Sequence, residues 1–140
     1  MAKAFKFELQ DVLDFRNFEK EQAQNELAKA LAVETQINNN LQIIASQFIS
    51  TKNQIDASSS FEDIAAGNTR KKFLEMQKEE LLKQLAEAKL VSDEKRKVLA
   101  EVMKKTTALE KLKEKQQEFW KAAVDKEDED FIDDLATAHR

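Results

Sequence analysis

The sequence predicts an all-α fold, an antiparallel two-helix coiled-coil hairpin with unequal arms. Three observations indicate this fold. The 140 residues contain no proline and a single glycine, Gly67, so the residues that most disfavour helices are nearly absent. Apolar residues recur at heptad spacing along two long stretches. Between those stretches lies one short segment rich in residues that favour turns.

Helix one is predicted over about residues 5–56. Alternate steps of four and three residues from Leu9 give a row of twelve positions, nine of them apolar, which we call the first seam. Its members are Leu9, Leu13, Arg16, Lys20, Ala23, Leu27, Ala30, Glu34, Ile37, Leu41, Ile44 and Phe48. A register shifted by one position would recruit Val12 and Val33, so the pattern leaves the register open.

The reversal of the chain is predicted at residues 57–69. Three consecutive serines at 58–60 compete for backbone hydrogen bonds and favour a turn or a helix N-cap. Ser60 precedes Asp63 by three residues, which is the spacing of a cap. A second break is expected at Gly67, where Thr69 would cap the next helix.

Helix two is predicted over about residues 70–135, with a second seam of apolar residues at helical spacing. Its members are Leu74, Leu81, Leu85, Ala88, Val91, Lys95, Val98, Val102, Leu109, Leu112, Phe119 and Ala123. A single amphipathic helix of this length leaves its apolar stripe exposed to water, so the two helices are expected to pair.

One reversal between two such helices makes the pairing antiparallel within one chain. We therefore expect a single domain over residues 1–140 and a monomeric hairpin; pairing between two chains is the alternative. The paired ends would bring aromatic residues together. Phe119 and Trp120 are expected either to pack against Phe5, Phe7 or Phe15 or to form an open tip.

The formal net charge of −4 conceals two regions of opposite sign. Residues 70–121 hold 15 Lys/Arg against 10 Asp/Glu, a net +5, and residues 125–134 hold seven acids against one base, a net −6. The two regions are either solvated helix faces or contacts for different partners. Nucleic acid is not expected as a partner, because the lysines alternate with acids and no aromatic stacking pattern accompanies them.

Catalytic chemistry is not indicated by the sequence. There is no cysteine, no glycine loop for phosphates, and one histidine, His139, next to the last residue. The acidic cluster at 125–134 lacks the glycine that a calcium loop needs. We expect neither an enzyme nor a cofactor or metal site. No apolar run is long enough to span a membrane or to act as a signal peptide, so a soluble cytoplasmic protein is expected.

Two segments go beyond a generic coiled coil. The chain opens with Phe5-Lys6-Phe7-Glu8-Leu9, and helix two closes with Leu109-Glu110-Lys111-Leu112-Lys113 followed by Phe131-Ile132-Asp133-Asp134-Leu135-Ala136. Over essentially its whole length the chain resembles the flagellar export protein FliJ. That family has an aromatic-basic-aromatic start, a basic L-x-x-L-K stretch and a D-E-L-A ending, in which Asp134 here replaces the glutamate.

The resemblance implies a cytoplasmic component of the flagellar type III export apparatus. Members of the family form an antiparallel coiled coil similar to the gamma stalk of rotary ATPases. The resemblance implies three kinds of partner: the ring of the export ATPase FliI, the gate protein FlhA and the export chaperones. It also implies peripheral association with the cytoplasmic face of the inner membrane, without insertion.

Two sets of residues are the candidate sites. Contacts with successive ring subunits are best made by weak, screened charges, and the candidates are Arg16, Lys20, Lys104, Lys105, Lys111, Lys113 and Lys115. The family's gate-contacting face lies early in helix two and begins with an aromatic residue. The matching positions here are Phe73, Gln77, Glu80 and Gln84.

Two other functions are compatible with the sequence. One is a general chaperone that clamps unfolded clients, as prefoldin-like hairpins do, although no strand pair is predicted that could build an oligomeric hub. The other is the equivalent stalk of a virulence type III secretion system, which has the same mechanics and a different cargo.

Overall fold

The computed structural model describes residues 4–138, which form two helices joined by a short turn. Helix α1 spans Gln10–Ala57, with 48 residues, and helix α2 spans Phe61–Ala138, with 78 residues. The described residues contain no strand. The predicted all-α hairpin with unequal arms is confirmed.

Contacts within the chain group into two units. The terminal unit comprises Met1–Ala23 and Leu99–Arg140, and the turn unit comprises Gln24–Val98. In each unit α1 and α2 run antiparallel, because residues that come later in α1 meet residues that come earlier in α2. The contacting pairs are Gln10 with Lys113 and Arg16 with Thr106 in the terminal unit, and Glu26 with Lys95 and Glu34 with Ser92 in the turn unit. The single-domain assignment remains a prediction.

The first seam packs in the predicted register. From Leu13 to Phe48, every predicted seam position is buried or half-buried. Val12 and Val33, which mark the shifted register, are 41% and 53% exposed. Leu9 is also exposed, because it lies in the turn that precedes α1 rather than in the helix.

The second seam differs from the prediction by one position along much of α2. Five predicted members are exposed, namely Val91, Val98, Leu112, Phe119 and Ala123, and the following residue is buried or half-buried in each case. The inward positions are Ser92, Leu99, Lys113, Trp120 and Val124. At Ser92 and Lys113 the prediction followed the neighbouring apolar residue, Val91 or Leu112, whereas the heptad repeat keeps the seam at the polar position. At Leu99, Trp120 and Val124 the inward residue and the predicted residue before it are both apolar, so composition alone could not choose between them.

Buried hydroxyl groups in the second seam have hydrogen-bond partners. Thr106, 1% exposed, donates from Oγ1 to the carbonyl oxygens of Val102 at 2.9 Å and Arg16 at 3.4 Å. Ser92 is fully buried and donates to the Glu34 carboxylate and to the carbonyl of Lys89. These bonds explain why polar residues are tolerated at positions facing the partner helix.

Residues 4–9, before α1, are not helical and end in a turn at residues 8–9, so helix one begins at Gln10 and not near residue 5. Phe5 and Phe7 alternate with polar residues, and in an extended chain such alternation places both rings on one side. Phe7 is 6% exposed, and the Phe5 ring centroid lies 6.0 Å from that of Trp120. A helix would separate the two phenylalanines by about 200°, so burial of both favours the extended form.

The reversal is shorter than predicted and consists of residues 58–60. Ser60 caps α2, because its Oγ accepts the Asp63 N–H at 3.4 Å and its carbonyl accepts the Ile64 N–H at 3.1 Å. Ser58 Oγ accepts the Ser60 N–H and donates to the Asp63 carboxylate. Together the two serine hydroxyls accept the N–H groups of Ser60 and Asp63, two of the donors at the start of α2 that have no acceptor within the helix.

The expected break at Gly67 is absent, because α2 continues through it with no positive φ. Thr69 is not a cap; its hydroxyl donates back to the Ala65 carbonyl within the helix. Gly67 is instead required by packing. A Cβ built on it would overlap Cγ1 of Ile55 and lie 2.8 Å from Cδ1, so the two helices approach more closely there than an alanine allows.

Candidate partner-binding surfaces

Three of the predicted lysines form one stripe on α2. Lys104, Lys111 and Lys115 are separated by seven and four residues, which places them on one helix face, opposite the seam that contains Thr106. All three are exposed, and the Lys104 side chain is 78% exposed, with a 3.9 Å contact to Glu101. We call these three residues the basic stripe.

Lys105 and Lys113 lie outside this stripe. Lys105 is exposed on the flank of α2. Lys113 faces α1, where its Nζ donates to Oε1 of Gln10 at 2.7 Å. This contact engages the ammonium group inside the terminal unit, so Lys113 acts there as a link between the helices.

Arg16 and Lys20 belong to the first seam and are half-buried in the terminal unit. The Arg16 guanidinium contacts the Glu19 carboxylate at 3.1 Å and lies 5.9 Å from the centre of the Phe15 ring. The terminal unit therefore contains all seven predicted basic residues, but it presents them on different faces.

The second predicted set forms an exposed stripe in the turn unit. Phe73, Gln77, Glu80 and Gln84 recur at steps of four, three and four, and each is exposed. Phe73 is 57% exposed, and Gln84 Nε2 donates to Glu80 Oε1 at 3.5 Å. We call these four residues the aromatic-led stripe.

A shallow groove joins the aromatic-led stripe to α1. Gln77 and Glu80 line it from α2, and Asn40, Ile43 and Gln47 line it from α1. Ile43 is 54% exposed although it is a large aliphatic residue. The sequence analysis missed the α1 side of this surface; the signal was an isoleucine that stands outside the seam, beside Ile44.

A second groove lies on the other side of the seam in the turn unit, and the sequence analysis did not predict it. Its lining is mainly apolar and includes Leu41, Ala45, Phe48, Ile49, Leu74 and Leu82, with Glu75 and Lys78 at its edge. Ile49 and Leu82 are 60% and 45% exposed. The turn unit thus has a groove of mixed polar and apolar lining on one side and a mainly apolar groove on the other.

No metal-binding cluster of histidine, cysteine or carboxylate side chains occurs within residues 4–138. His139 lies outside the described residues. Among the helices that are described, none is long and apolar enough to cross a membrane.

The family model described as flagellar FliJ protein matches residues 5–139. The chain belongs to the FliJ family. No curated protein and no solved structure gives a significant match. Membership in the FliJ family makes the chain a protein associated with flagellar export, in a family of export components rather than of enzymes.

Proposed function

We propose that this FliJ-family protein is the coiled-coil stalk of the export ATPase ring and an adaptor to the export gate and the export chaperones. Its partners would be the ATPase FliI, the gate protein FlhA and the chaperones. It would act in the cytoplasm, at the cytoplasmic face of the inner membrane, and would bind there only through these partners.

The observation that carries the stalk role is the basic stripe. Lys104, Lys111 and Lys115 project from one face of a paired helix, opposite its packed seam. A shaft that meets the subunits of a ring in turn needs contacts of similar, modest strength. Exposed ion pairs contribute about 0.2–1 kcal/mol each and are screened by salt, which suits this requirement better than a deep apolar contact.

The aromatic-led stripe supports the adaptor role. Phe73 supplies an exposed aromatic anchor at the start of the stripe, and Ile43, which lines the adjacent groove with Gln77 and Glu80, supplies a second apolar side chain. Exposed aromatic residues beside adaptable polar groups are typical of protein interfaces. The two surfaces lie in different units of the chain, so each is assigned a partner of its own.

The test is reconstitution with the purified ATPase and gate protein. The full chain should raise the rate of ATP hydrolysis by the assembled ring, and it should bind the cytoplasmic part of the gate protein. Absence of both effects, with a ring that assembles and hydrolyses ATP, would exclude the proposed function.

The prefoldin-like alternative is favoured by one observation, the apolar groove that contains exposed Ile49 and Leu82. A general chaperone would suppress aggregation of unrelated unfolded proteins, and Ile49→Ser would abolish that effect without changing ATPase stimulation. A virulence system would require the same surfaces. The match to a flagellar family favours the flagellar export system over a virulence secretion system as the one in which this protein acts.

A further inference from the structure

The seam of α2 continues beyond the part of the helix that α1 covers. Val124 is the last residue of α2 that is half-buried, and residues 125–138 are all exposed while remaining helical. The heptad steps of three and four continue past Val124 through Asp128 to Phe131, Leu135 and Ala138. Phe131 and Leu135 therefore occupy seam positions at which no other part of the described chain packs.

The apolar face of this segment is compact and well exposed. Phe131, Ile132 and Leu135 lie within one helical turn and within about 100° of the helix circumference. They are 64%, 62% and 45% exposed. A single helix with an uncovered apolar face is characteristic of an element that packs against a partner helix.

Charge identifies the kind of partner. Residues 125–134 include seven carboxylates and one base, Lys126, which gives a net −6. Asp128 stands in the seam itself, and Glu127 and Asp134 flank Phe131 on the helix surface. A second copy of the same segment would bring −6 against −6, so self-pairing is disfavoured. A helix with lysine or arginine beside its apolar residues matches both the face and the charge.

We infer that residues 124–138 of α2 are a docking segment for a basic amphipathic helix of another protein, which packs on Phe131, Ile132 and Leu135. The incoming helix extends the coiled coil over the length of α2 that neither α1 nor the segment before it covers. Its apolar residues fill the open seam, and its basic residues face the acids at the flanks. This site is separate from the basic stripe and from the aromatic-led stripe.

The probe is a synthetic three-heptad helix with Leu and Ile at the a and d positions and Lys at e and g, titrated calorimetrically into the full chain. A matched peptide carries Glu at e and g. The lysine peptide should bind at least about tenfold more tightly than the glutamate peptide, and its affinity should fall as salt is raised. Equal binding of the two peptides would overturn the assignment of a basic partner.

The site is located with two variants. Phe131→Ala combined with Leu135→Ala should weaken binding of the lysine peptide by about tenfold or more, since truncation of central apolar anchors has effects of this size. A matched control replaces two other exposed phenylalanines, Phe18 and Phe119, with alanine and should leave the affinity unchanged.

All four substituted side chains are exposed, so both variants should keep the circular dichroism spectrum and melting temperature of the parent chain. Equal affinity of the Phe131/Leu135 variant and the parent would overturn the inference. So would reversible dimerisation in sedimentation that this variant abolishes, because the partner of the segment would then be a second copy.

Discussion

The hydroxyl of Ser92 in α2 donates a hydrogen bond to the carboxylate of Glu34 in α1, inside the seam of the turn unit. Ser92 is fully buried, and Glu34 is half-buried at a position where a heptad repeat ordinarily has an apolar residue. The hydroxyl supplies the donor and the carboxylate the acceptor of this hydrogen bond. A slip of one helix along the other would leave a buried carboxylate and a buried hydroxyl without partners, so this pair favours one alignment of the helices.

Removing the hydroxyl should therefore destabilise the protein. Ser92→Ala leaves Glu34 half-buried without its donor, and we expect a loss of about 1–2 kcal/mol in the free energy of unfolding, although alanine is the better helix former. The double variant Ser92→Ala with Glu34→Leu should be at least as stable as the parent, because both polar groups are then replaced by apolar ones. Urea unfolding followed by circular dichroism measures both values. If Ser92→Ala left the free energy of unfolding unchanged, the pair would contribute little to stability.

Gly67 provides a second test of packing. Gly67→Ala should gain about 1 kcal/mol of helix propensity, yet the new Cβ would overlap the Ile55 side chain. Overpacking costs about 1–3 kcal/mol, so we expect a net loss of stability. In a background that carries Ile55→Ala, the same glycine substitution should become stabilising. Thermal unfolding of the parent, the two single variants and the double variant gives the coupling energy between the two positions. If Gly67→Ala has the same effect on stability with Ile55 and with alanine at position 55, the close approach of Gly67 to Ile55 is contradicted.

Charge reversal of the basic stripe tests the stalk role. Replacing Lys104, Lys111 and Lys115 together by glutamate should weaken the apparent affinity for the ATPase ring by about tenfold or more, because three exposed attractions become repulsions. Titration of the chain into an ATPase assay measures this. The control reverses three exposed lysines of the turn unit, which are Lys52, Lys83 and Lys89. If the stripe variant and the control variant have the same apparent affinity for the ring, the net charge of the chain and not the position of the stripe determines binding.

The adaptor role depends on the groove beside the aromatic-led stripe. Phe73→Ala and Ile43→Ala should each weaken binding of the gate protein by about fivefold or more, since each removes an apolar anchor worth about 1 kcal/mol. Stimulation of the ATPase should be unchanged. Phe61→Ala is the control, because Phe61 is 83% exposed in the same unit but belongs neither to the aromatic-led stripe nor to the groove lining. Surface plasmon resonance with immobilised gate protein measures the affinities, and an effect of Phe61→Ala equal to that of Phe73→Ala would contradict the assignment.

The first seam could be predicted because its inward positions carry mostly recognisable apolar residues, such as Leu13 and Ile37. The second seam could be predicted only in part, at positions such as Leu74 and Leu109. Elsewhere the pattern fails because burial in a tightly paired helix is open to any small side chain whose polar atoms find partners. Ser92 and Thr106 meet that condition through bonds to α1, which a one-dimensional pattern does not contain. Val91 and Val98 were predicted as members of the second seam only because valine is apolar.

The candidate surfaces were predictable on α2 but not across the two helices. Which face of α1 lies beside Gln77 depends on the register of the first seam, which the sequence left open between two neighbouring positions. The contribution of Ile43 to the groove follows only from the observed alignment.

The interhelical contacts are nested, and this nesting sets an order in which the chain can fold. Glu34 and Ser92 are 58 positions apart, Arg16 and Thr106 are 90 apart, and the ends of the Gln10 to Lys113 bond are 103 apart. Because loop closure costs more entropy as the loop lengthens, pairing should start near the serine turn and proceed outward. During synthesis, residues 4–23 leave the ribosome first but find their partners last. The nascent chain therefore carries Phe7 exposed to chaperones and proteases until residues 99–138 have been made.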